Sequence, residues 1–334
     1  MIPMAQVIQP TIKTRDQVER DLRRGVKITH APGPEAPRPA RRPEWLKVRV
    51  RQGENFSELR DIMRERGLHT VCEEAACPNI YECWEAREAT FLLGGDLCTR
   101  RCSFCDVMTA KPEALDSEEP QKIAEAVRLM GLKFAVITGV ARDDLDDGAS
   151  AHWAATIEAI RHDMPDCGIE VLIPDFKGRK EHPRESLARV IHVGPDVLAH
   201  NLETVRRMHP SIRPGFGYEA SLELLKWGKE LRADQVTKSN LIVGMGEREE
   251  EVYDAMRDLR AVGCDVLTIG QYLQPSVSWH LPVDRWVHPD EFARYKRFGE
   301  EELDFAWVES GPLVRSSYHA GKQYEAASLR LART

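Results

Sequence analysis

The sequence of 334 residues lacks the marks of several protein classes. No run approaches the roughly 18 consecutive apolar residues that a membrane-spanning helix needs. The amino terminus, MIPMAQVIQPTIKTRDQ, has no charged start followed by an apolar run, so we expect no secretion signal. The chain also lacks an excess of positive charge, since it has 47 Lys and Arg against 54 Asp and Glu and its net charge is −7. The chain therefore has no overall electrostatic reason to bind nucleic acid.

The composition is that of an ordinary globular protein, with 42% hydrophobic and 30% charged residues. These fractions exclude a disordered, collagen-like or coiled-coil chain. The length suggests two domains, or one barrel of about 250 residues with extensions.

Cysteine is unevenly distributed. Cys167 and Cys264 are isolated, and we interpret them as buried thiols that pack as small hydrophobic groups. The other six cysteines fall between residues 72 and 105 of a long acidic chain, which favours metal or cluster binding in a reducing cytoplasm over disulfides. They form a first triplet (Cys72, Cys77 and Cys83) and a second triplet (Cys98, Cys102 and Cys105).

Four regions follow from the composition along the chain. Residues 1–50 are predicted to be an extended arm, rich in proline and arginine, which acts either as a solvated tether or as a docking arm. Residues 51–88 hold the first triplet, residues 89–310 form the main body, and residues 311–334 form a tail.

The main body alternates apolar runs with helical patterns. The runs are TFLL (90–93), FAVIT (134–138), IEVLI (169–173), DVLAH (196–200), SNLIV (239–243) and DVLTI (265–269). Helical patterns of 10–15 residues between such strands predict βαβ units and a parallel sheet that is covered on both faces. We therefore expect an α/β fold, a partial (β/α) TIM-type barrel with an N-terminal cluster-binding extension and a C-terminal tail.

Polar and glycine residues collect just after five of these runs, where the carboxyl ends of barrel strands form the active face. Turn chemistry alone also favours such residues, but five groups at one mouth favour a site. The segments are Thr138-Gly139, Pro174-Asp175-Phe176-Lys177, Asn201-Leu202-Glu203, Gly244-Met245-Gly246-Glu247 and Gln271-Tyr272.

The second triplet has the spacing C-x3-C-x2-C and follows the first strand directly. Three thiolates on one loop can hold three irons of a [4Fe–4S] cluster and leave the fourth open, whereas structural zinc needs a fourth protein ligand. With Phe104 before the last cysteine, the motif resembles that of the radical S-adenosylmethionine superfamily, whose open iron binds the amino and carboxylate groups of methionine. By the same logic, the first triplet would hold a second cluster for electron transfer, substrate binding or sulfur supply.

Longer strings are similar to the lipoyl synthase family from about residue 45 to 325. They are CPNIYECW, GGDLCTRRCSFCDV, TGVARDDL, VLIPDF, HNLETV, TKSNLIVGMGE, DVLTIGQYLQPS and GPLVRSSYHA. The resemblance implies insertion of two sulfur atoms at carbons six and eight of an octanoyl chain on a carrier lysine. It also implies two [4Fe–4S] clusters and S-adenosylmethionine as cofactors, with the auxiliary cluster as the sulfur donor.

The resemblance assigns roles to individual residues. The second triplet would hold the radical-generating cluster and the first triplet the auxiliary cluster. The fourth ligand of the auxiliary cluster would be Ser317 of the RSSY motif, with Ser316 as the alternative. Lys177 and Arg142 are candidate anion anchors or surface ion pairs. The residues expected near S-adenosylmethionine are Phe104, Thr138, Asn201, Glu203, Gly244, Gly246 and Glu247.

The implied partners are octanoylated lipoyl domains, carried by 2-oxoacid dehydrogenase subunits or the glycine cleavage H protein. A low-potential donor such as ferredoxin or flavodoxin would supply electrons, and we expect no nucleic acid or membrane partner. The alternatives are another dual-cluster radical enzyme, such as a methylthiotransferase, and an iron–sulfur carrier or zinc-scaffolded binding protein. One departure from the family is QPSVSWHLP, which is one residue longer than usual and has Val277-Ser278-Trp279 where a basic residue is common.

Overall fold

The computed structural model describes residues 41–47, 53–65, 69–74, 77–276 and 280–332. Most of the predicted N-terminal arm and the Val277-Ser278-Trp279 stretch lie outside the described residues. None of the helices in the described ranges is long and apolar enough to cross a membrane.

One sheet of eight strands organises the described chain, in the order β1-β2-β5-β6-β7-β8-β9-β10. β1 is antiparallel to β2, and the strands from β2 onwards run parallel. β3 and β4 form a separate two-stranded parallel sheet. The strands are β1 (His69–Thr70), β2 (Thr90–Leu93), β3 (Leu97–Cys98), β4 (Met108–Thr109), β5 (Phe134–Gly139), β6 (Gly168–Leu172), β7 (Val197–Ala199), β8 (Val236–Val243), β9 (Val266–Gln271) and β10 (Trp307–Gly311).

Helices follow most parallel strands and cover the outside of the sheet. A 3-10 turn at Glu44–Leu46 precedes them, and a π-helical turn at Phe298–Glu302 follows α10. The α-helices are α1 (Glu54–Glu65), α2 (Val71–Glu74), α3 (Ile80–Glu85), α4 (Glu119–Leu129), α5 (Ser150–Asp163), α6 (Pro183–His192), α7 (His209–Ile212), α8 (Tyr218–Leu231), α9 (Glu249–Ala261), α10 (Pro289–Arg297) and α11 (Ala320–Leu331).

The sheet is open, because β1 and β10 end the strand order without pairing to each other. This confirms the predicted partial barrel. The six predicted strands are present, although β8 begins at Val236, three residues before the predicted start. The sequence reading missed β10, in which only Val308 is fully buried, so its pattern is neither a continuous apolar run nor a clear alternation.

The core consists of apolar side chains between the sheet and its helices, and the strands themselves are buried. Every residue of β2 and of β9 is buried, as expected of parallel strands that are covered on both faces. Among the buried strand residues, Glu170 on β6 and Lys238 on β8 form an ion pair at 2.9–3.0 Å, with side chains only 1% and 2% exposed. The pair bridges two strands across β7.

Candidate active site

A large cleft opens at the carboxyl ends of the parallel strands. Its volume is about 930 Å³, and residues that follow five different strands line it. Because parallel strands end at the same edge, side chains far apart in sequence meet there. From the predicted set, the second triplet, Phe104, Thr138, Asn201 and Glu203 line this main cleft.

The loop of the second triplet is fastened to the barrel through its backbone. Cys98 ends β3, and its carbonyl accepts a hydrogen bond from Ala110 N at 3.2 Å. Ser103 N donates to Ile212 O at 2.8 Å, and Leu281 N donates to Ser103 O at 3.1 Å. These bonds hold the three cysteines at the cleft.

The thiols of the second triplet are desolvated at the main cleft and lie near enough to shift one another's pKa. Burial raises the pKa of Cys102 to about 12; the charge of Arg213 opposes this rise, and the neighbouring Cys98 thiol contributes to it. Burial, and then the charges of Cys102 and Cys98, also raise the pKa of Cys105. Two backbone N–H groups, of Arg100 and Ala141, lie 3.4 Å from the Cys98 sulfur. A thiolate at Cys98 would therefore be hydrogen-bonded.

Arg100 anchors the same loop from within the triplet. Its guanidinium donates to Asp143 at 2.5 and 2.8 Å and to Asp175 at 2.8 Å, and its side chain is 4% exposed. It also lies over the Phe216 ring, with Cζ 4.2 Å from the ring centroid, and Arg213 lies 3.9 Å from the same centroid. The sequence does not predict these contacts, because its only local signal is an arginine between two cysteines.

Asn201, Glu203 and Asn240 form a polar wall of the main cleft. Asn201 Nδ2 and Asn240 Nδ2 each donate to one carboxylate oxygen of Glu203 at 2.9 Å. Thr268 Oγ1 in turn donates to Asn240 Oδ1 at 2.8 Å. Asn201 Oδ1 is buried, and among the described residues nothing donates a hydrogen bond to it. The wall thus offers a carboxylate and a free amide oxygen, which suit a ligand with ammonium or hydroxyl donors.

Glu203 takes a left-handed backbone conformation, with φ +68°. A non-glycine residue pays a strain of about 1–2 kcal/mol there, and such strain persists where surrounding structure imposes it. Glu203 N donates to Asn240 O and Ile242 N donates to Glu203 O, both at 2.8 Å. Burial raises the pKa of Glu203, while Arg213 and the two amides favour its ionised form.

His200 and Arg213 lie next to this wall and support it through hydrogen bonds. His200 Nδ1 bonds the Ile173 carbonyl at 2.9 Å, so this nitrogen carries the proton and Nε2 accepts from Ser221 Oγ at 3.1 Å. Burial, and next the charge of Arg213, lower the pKa of His200 to about 3. Arg213 donates to Asn201 O at 2.5 Å and to Ser221 Oγ at 3.3 Å. A neutral imidazole and a guanidinium thus fix the backbone of Asn201.

Gly244, Gly246 and Glu247 do not line the main cleft. The Glu247 carboxylate accepts hydrogen bonds from Gly244 N at 2.6 Å and Met245 N at 2.9 Å. Burial raises its pKa, and these backbone bonds oppose the rise. A side chain at Gly244 would collide with Gln271, which does line the cleft. The GMGE turn therefore supports the cleft from outside.

The two candidate anion anchors also lie away from the cleft lining. Arg142 is buried and pairs with Asp144 through two bonds of 2.9 Å, and it donates to the carbonyls of Gly94 and Glu113. Its guanidinium is thus held by the protein. Lys177 is exposed on the loop after β6.

A second, smaller cavity of about 40 Å³ adjoins the main cleft. Its lining includes all three cysteines of the first triplet together with Ser317, although Ser317 follows them by more than 200 residues. Burial, and then the neighbouring Cys77, raise the pKa of Cys72 to about 12. Burial also raises the pKa of Cys83, and the charges of Cys72 and Cys77 add to this rise. Asn79 Nδ2 ties the tail to this triplet by donating to Leu313 O at 2.7 Å.

The two serines of the tail face different cavities. Ser317 lines the small cavity, and Ser316 lines the main cleft. They lie in a turn and not in extended chain, because Tyr318 N donates to Arg315 O at 3.0 Å. Cys72, Cys77 and Arg315 line both cavities and so form a shared wall between them.

The donor set of each triplet suits an iron–sulfur cluster. All six cysteines are free thiols. Within the residues that the structure describes, no three His, Cys, Asp or Glu side chains lie close enough to bind one metal ion. Thiolates on a single zinc approach one another to about 3.8 Å, given Zn–S bonds of about 2.3 Å, whereas thiolates on separate irons stand further apart. The arrangement therefore fits two clusters better than two zinc sites.

Comparisons with known proteins agree with this geometry. The model of the radical SAM superfamily matches residues 93–259, and the model of the N-terminal domain of lipoyl synthase of the radical SAM family matches residues 29–77. Lipoyl synthase of Mycobacterium bovis (strain BCG / Pasteur 1173P2) is 55% identical over 287 residues, 86% of this chain and 90% of the relative. Lipoyl synthase of Nocardia farcinica is 56% identical over 86% of this chain and 79% of the relative.

Solved structures with low sequence identity share the fold. Methylornithine synthase has a TM-score of 0.51 and 13% identity, over 64% of this chain and 62% of that one. HydG, a maturase of the [FeFe]-hydrogenase, also has a TM-score of 0.51 and 13% identity, over 78% of this chain and 56% of that one.

Proposed function

Since the chain belongs to the lipoyl synthase family of the radical S-adenosylmethionine superfamily, we propose that its two cavities hold the two clusters that the family's reaction requires. The chain is a sulfur-inserting enzyme that converts a protein-bound octanoyl-lysine into lipoyl-lysine, with S-adenosylmethionine and [4Fe–4S] clusters as cofactors. The residue assignments that follow are our proposal. The observation that carries them is that the whole first triplet lines the small cavity together with Ser317, whereas the second triplet lines only the main cleft.

The second triplet would hold the radical-generating cluster at the main cleft. Three thiolates leave one iron open for the amino and carboxylate groups of methionine. When bound, this cluster and S-adenosylmethionine supply the 5′-deoxyadenosyl radical that abstracts hydrogen from an unactivated carbon. The chain's own contribution is to fix the cysteine loop through Arg100, Asp143 and Asp175 and to keep it desolvated.

Asn201, Glu203 and Asn240 would orient S-adenosylmethionine. The carboxylate of Glu203 suits an ammonium group or the ribose hydroxyls, because hydrogen bonds to a charged acceptor are stronger than those between neutral groups. The free Oδ1 of Asn201 accepts one further donor. Phe104 and Thr138 complete this side of the cleft.

The first triplet and Ser317 would hold the auxiliary cluster in the small cavity. A hydroxyl is a weaker iron ligand than a thiolate, so Ser317 would hold its iron less firmly than the three cysteines would hold theirs. The shared wall of Cys72, Cys77 and Arg315 supports a position of this site beside the main cleft, where the substrate would lie.

The main cleft also suits the acyl chain of the substrate. Val140, Leu172, Ile242 and Leu273 contribute apolar surface to its lining. Such a lining binds an octanoyl chain and keeps water away from a reactive radical. The acyl chain and S-adenosylmethionine would thus meet in the main cleft, between the two cysteine triplets.

We propose octanoylated domains of the 2-oxoacid dehydrogenases and of the glycine cleavage H protein as the carriers, and ferredoxin or flavodoxin as the electron donor. The family's reaction, which acts on octanoylated lipoyl domains, supports the choice of carriers. We place the reaction in the cytoplasm, because its reducing conditions keep the cluster-binding thiols available.

The two serines of the tail allow a matched test. Ser317→Ala removes a hydroxyl from the small cavity, whereas Ser316→Ala removes one from the main cleft. We expect Ser317→Ala to retain cleavage of S-adenosylmethionine while the lipoyl yield falls at least about tenfold, the loss usual when support of a metal site is removed. Anaerobic product analysis and Mössbauer spectroscopy of the auxiliary cluster measure both effects. Wild-type yield in Ser317→Ala, with loss of product in Ser316→Ala, would reverse the assignment.

A further inference from the structure

The chain that follows β9 returns to the loop of the second triplet. Leu281 N donates to Ser103 O at 3.1 Å, and Nε2 of the His280 imidazole lies 3.1 Å from the carbonyl oxygen of Cys105. The cysteine loop follows β2, and four strands lie between β2 and β9 in the sheet. The two contacts therefore join loops whose strands are not neighbours. The proposed function does not yet use His280.

The hydrogen bonds of His280 show which ring nitrogen carries the proton. Nδ1 accepts a hydrogen bond from Ser276 N at 3.2 Å, and Ser276 Oγ lies 2.9 Å from the same nitrogen. Because a backbone N–H can only donate, Nδ1 has no proton and the proton of the ring is on Nε2. Nε2 therefore donates to the Cys105 carbonyl. Asp106 Oδ1 is 3.7 Å from Nε2, which is beyond hydrogen-bond distance.

The imidazole is itself held in place from the main cleft. Gln274 Nε2 donates to the His280 carbonyl at 3.0 Å, and the Tyr272 hydroxyl donates to the Leu281 carbonyl at 2.6 Å. Both Gln274 and Tyr272 line the main cleft. The His280 side chain is only 10% exposed. A donor that is fixed in this way can orient the group that it contacts.

The carbonyls of all three cysteines in the second triplet accept hydrogen bonds. Cys98 O accepts from Ala110 N at 3.2 Å, and Cys102 O accepts from Cys105 N at 3.1 Å. At Cys105 the donor is the side chain of His280. A substitution at His280 can therefore remove this support without breaking a backbone contact of the loop.

We propose that His280 is a positioning residue of the radical-generating cluster, which orients the third thiolate of the second triplet by donating a hydrogen bond from Nε2 to the Cys105 carbonyl. This inference rests on the proposed role of the second triplet. The backbone of Cys105 sets the direction of its side chain, so a fixed carbonyl limits the movement of its sulfur. Without the bond, the third thiolate should separate from its iron more easily.

Two replacements of His280 separate the roles of its two ring nitrogens. Glutamine places an amide N–H near the position of Nε2, so His280→Gln keeps a donor for the Cys105 carbonyl. Asparagine places an amide oxygen near the position of Nδ1, so His280→Asn keeps an acceptor for Ser276 N but is too short to reach Cys105. Both changes are made in a parent chain, the full sequence with the first triplet replaced by alanine, so that only the radical-generating cluster is reconstituted.

We expect His280→Asn to lose iron to a chelator about 10-fold faster than the parent chain, the usual scale when the partner that orients a metal ligand is removed. His280→Gln should lose iron at close to the parent rate. Electron paramagnetic resonance of the reduced cluster with S-adenosylmethionine should show the same order, with an altered spectrum in His280→Asn and the parent spectrum in His280→Gln. A role limited to holding the turn at Ser276 predicts the reverse order.

His288→Asn is the matched control. Its Nδ1 also accepts a backbone N–H, from Asp290 at 3.2 Å, but it precedes α10 and is not among the described residues that line the main cleft. This variant should behave as the parent chain does. Equal behaviour of His280→Asn and His280→Gln, or faster iron loss in His280→Gln, would overturn the inference and leave the proposed function intact. If the parent chain binds no cluster, the inference and the proposed radical-generating site both fail.

A measurement on the parent chain covers the case in which both variants fail to fold. Nitrogen-15 nuclear magnetic resonance of labelled histidine shows which ring nitrogen carries the proton. His280 can be assigned by paired labelling of histidine and leucine, because it begins the only His-Leu pair in the sequence. A proton on Nε2 supports the hydrogen bond to Cys105, and a proton on Nδ1 overturns it.

Discussion

Glu203 offers the sharpest test of how the main cleft binds S-adenosylmethionine. Each of its carboxylate oxygens accepts one amide hydrogen, from Asn201 and from Asn240 at 2.9 Å, and retains a lone pair toward the cleft. Glu203→Gln removes the charge with almost no change in size. It also brings the new NH2 group against one of the two asparagine amides, so that two donors face each other.

The size of the effect follows from the bond that is lost. A hydrogen bond to a charged group contributes about 1.5–3 kcal/mol. At about 1.4 kcal/mol per factor of ten, Glu203→Gln should raise the Kd for S-adenosylmethionine about 10-fold to 140-fold. Isothermal titration of the reconstituted enzyme under anaerobic conditions measures the change directly.

Glu247→Gln is the matched control. Its carboxylate caps Gly244 N and Met245 N and lies outside the cleft lining, so this change should lower the melting temperature but keep the Kd within about twofold. The reasoning is refuted if Glu203→Gln binds S-adenosylmethionine as tightly as the wild type does, or if Glu247→Gln shows the larger loss of affinity.

Three further predictions concern the clusters and the core. Iron analysis should give about eight irons per reconstituted chain and about four when either triplet is replaced by alanine; a wild-type value fixed near four would contradict two [4Fe–4S] clusters. Arg100→Lys loses the paired contact with Asp143 and should release the radical-generating cluster more readily, which cluster absorbance during chelator challenge would show; an unchanged rate would count against the anchor. Lys238→Met leaves the buried Glu170 carboxyl without its partner, so urea unfolding should show a loss of about 3–5 kcal/mol in the free energy of unfolding that Glu170→Leu largely restores; a loss below about 1 kcal/mol would contradict the buried pair.

The parallel sheet could be predicted because the sequence of each strand itself shows that the strand is buried. β2 and β9 are buried throughout, and their apolar runs reflect cover on both faces. β10 could not be recognised in the same way. Four of its five residues are only partly buried, so WVESG lacks both signals on which the prediction depended.

The cysteines of the site were also visible in the sequence, since the spacing within each triplet is short. The residues that hold the site in place were not visible in the sequence. Arg213 fixes Asn201 through a backbone carbonyl, and Arg100 joins two loops that lie about 40 and 75 residues further along the chain. Such pairings depend on which strands become neighbours, and no local pattern encodes them.

Glu247 shows a further limit of local reading. An acidic residue beside two glycines at a strand end resembles a ligand contact, and we predicted one. In the structure its carboxylate accepts the backbone N–H groups of its own turn. A turn that satisfies itself and a turn that binds a ligand use the same residue types.

The source of the inserted sulfur is the central claim, and isotope labelling tests it most directly. The enzyme would be reconstituted with heavy-isotope sulfide and given S-adenosylmethionine, reductant and an octanoyl-lysine peptide under anaerobic conditions. The account predicts that both sulfur atoms of the lipoyl product carry the label, and that replacing the first triplet with alanine leaves S-adenosylmethionine cleavage but no product. Unlabelled sulfur in the product, or labelled product from the chain without the first triplet, would contradict it.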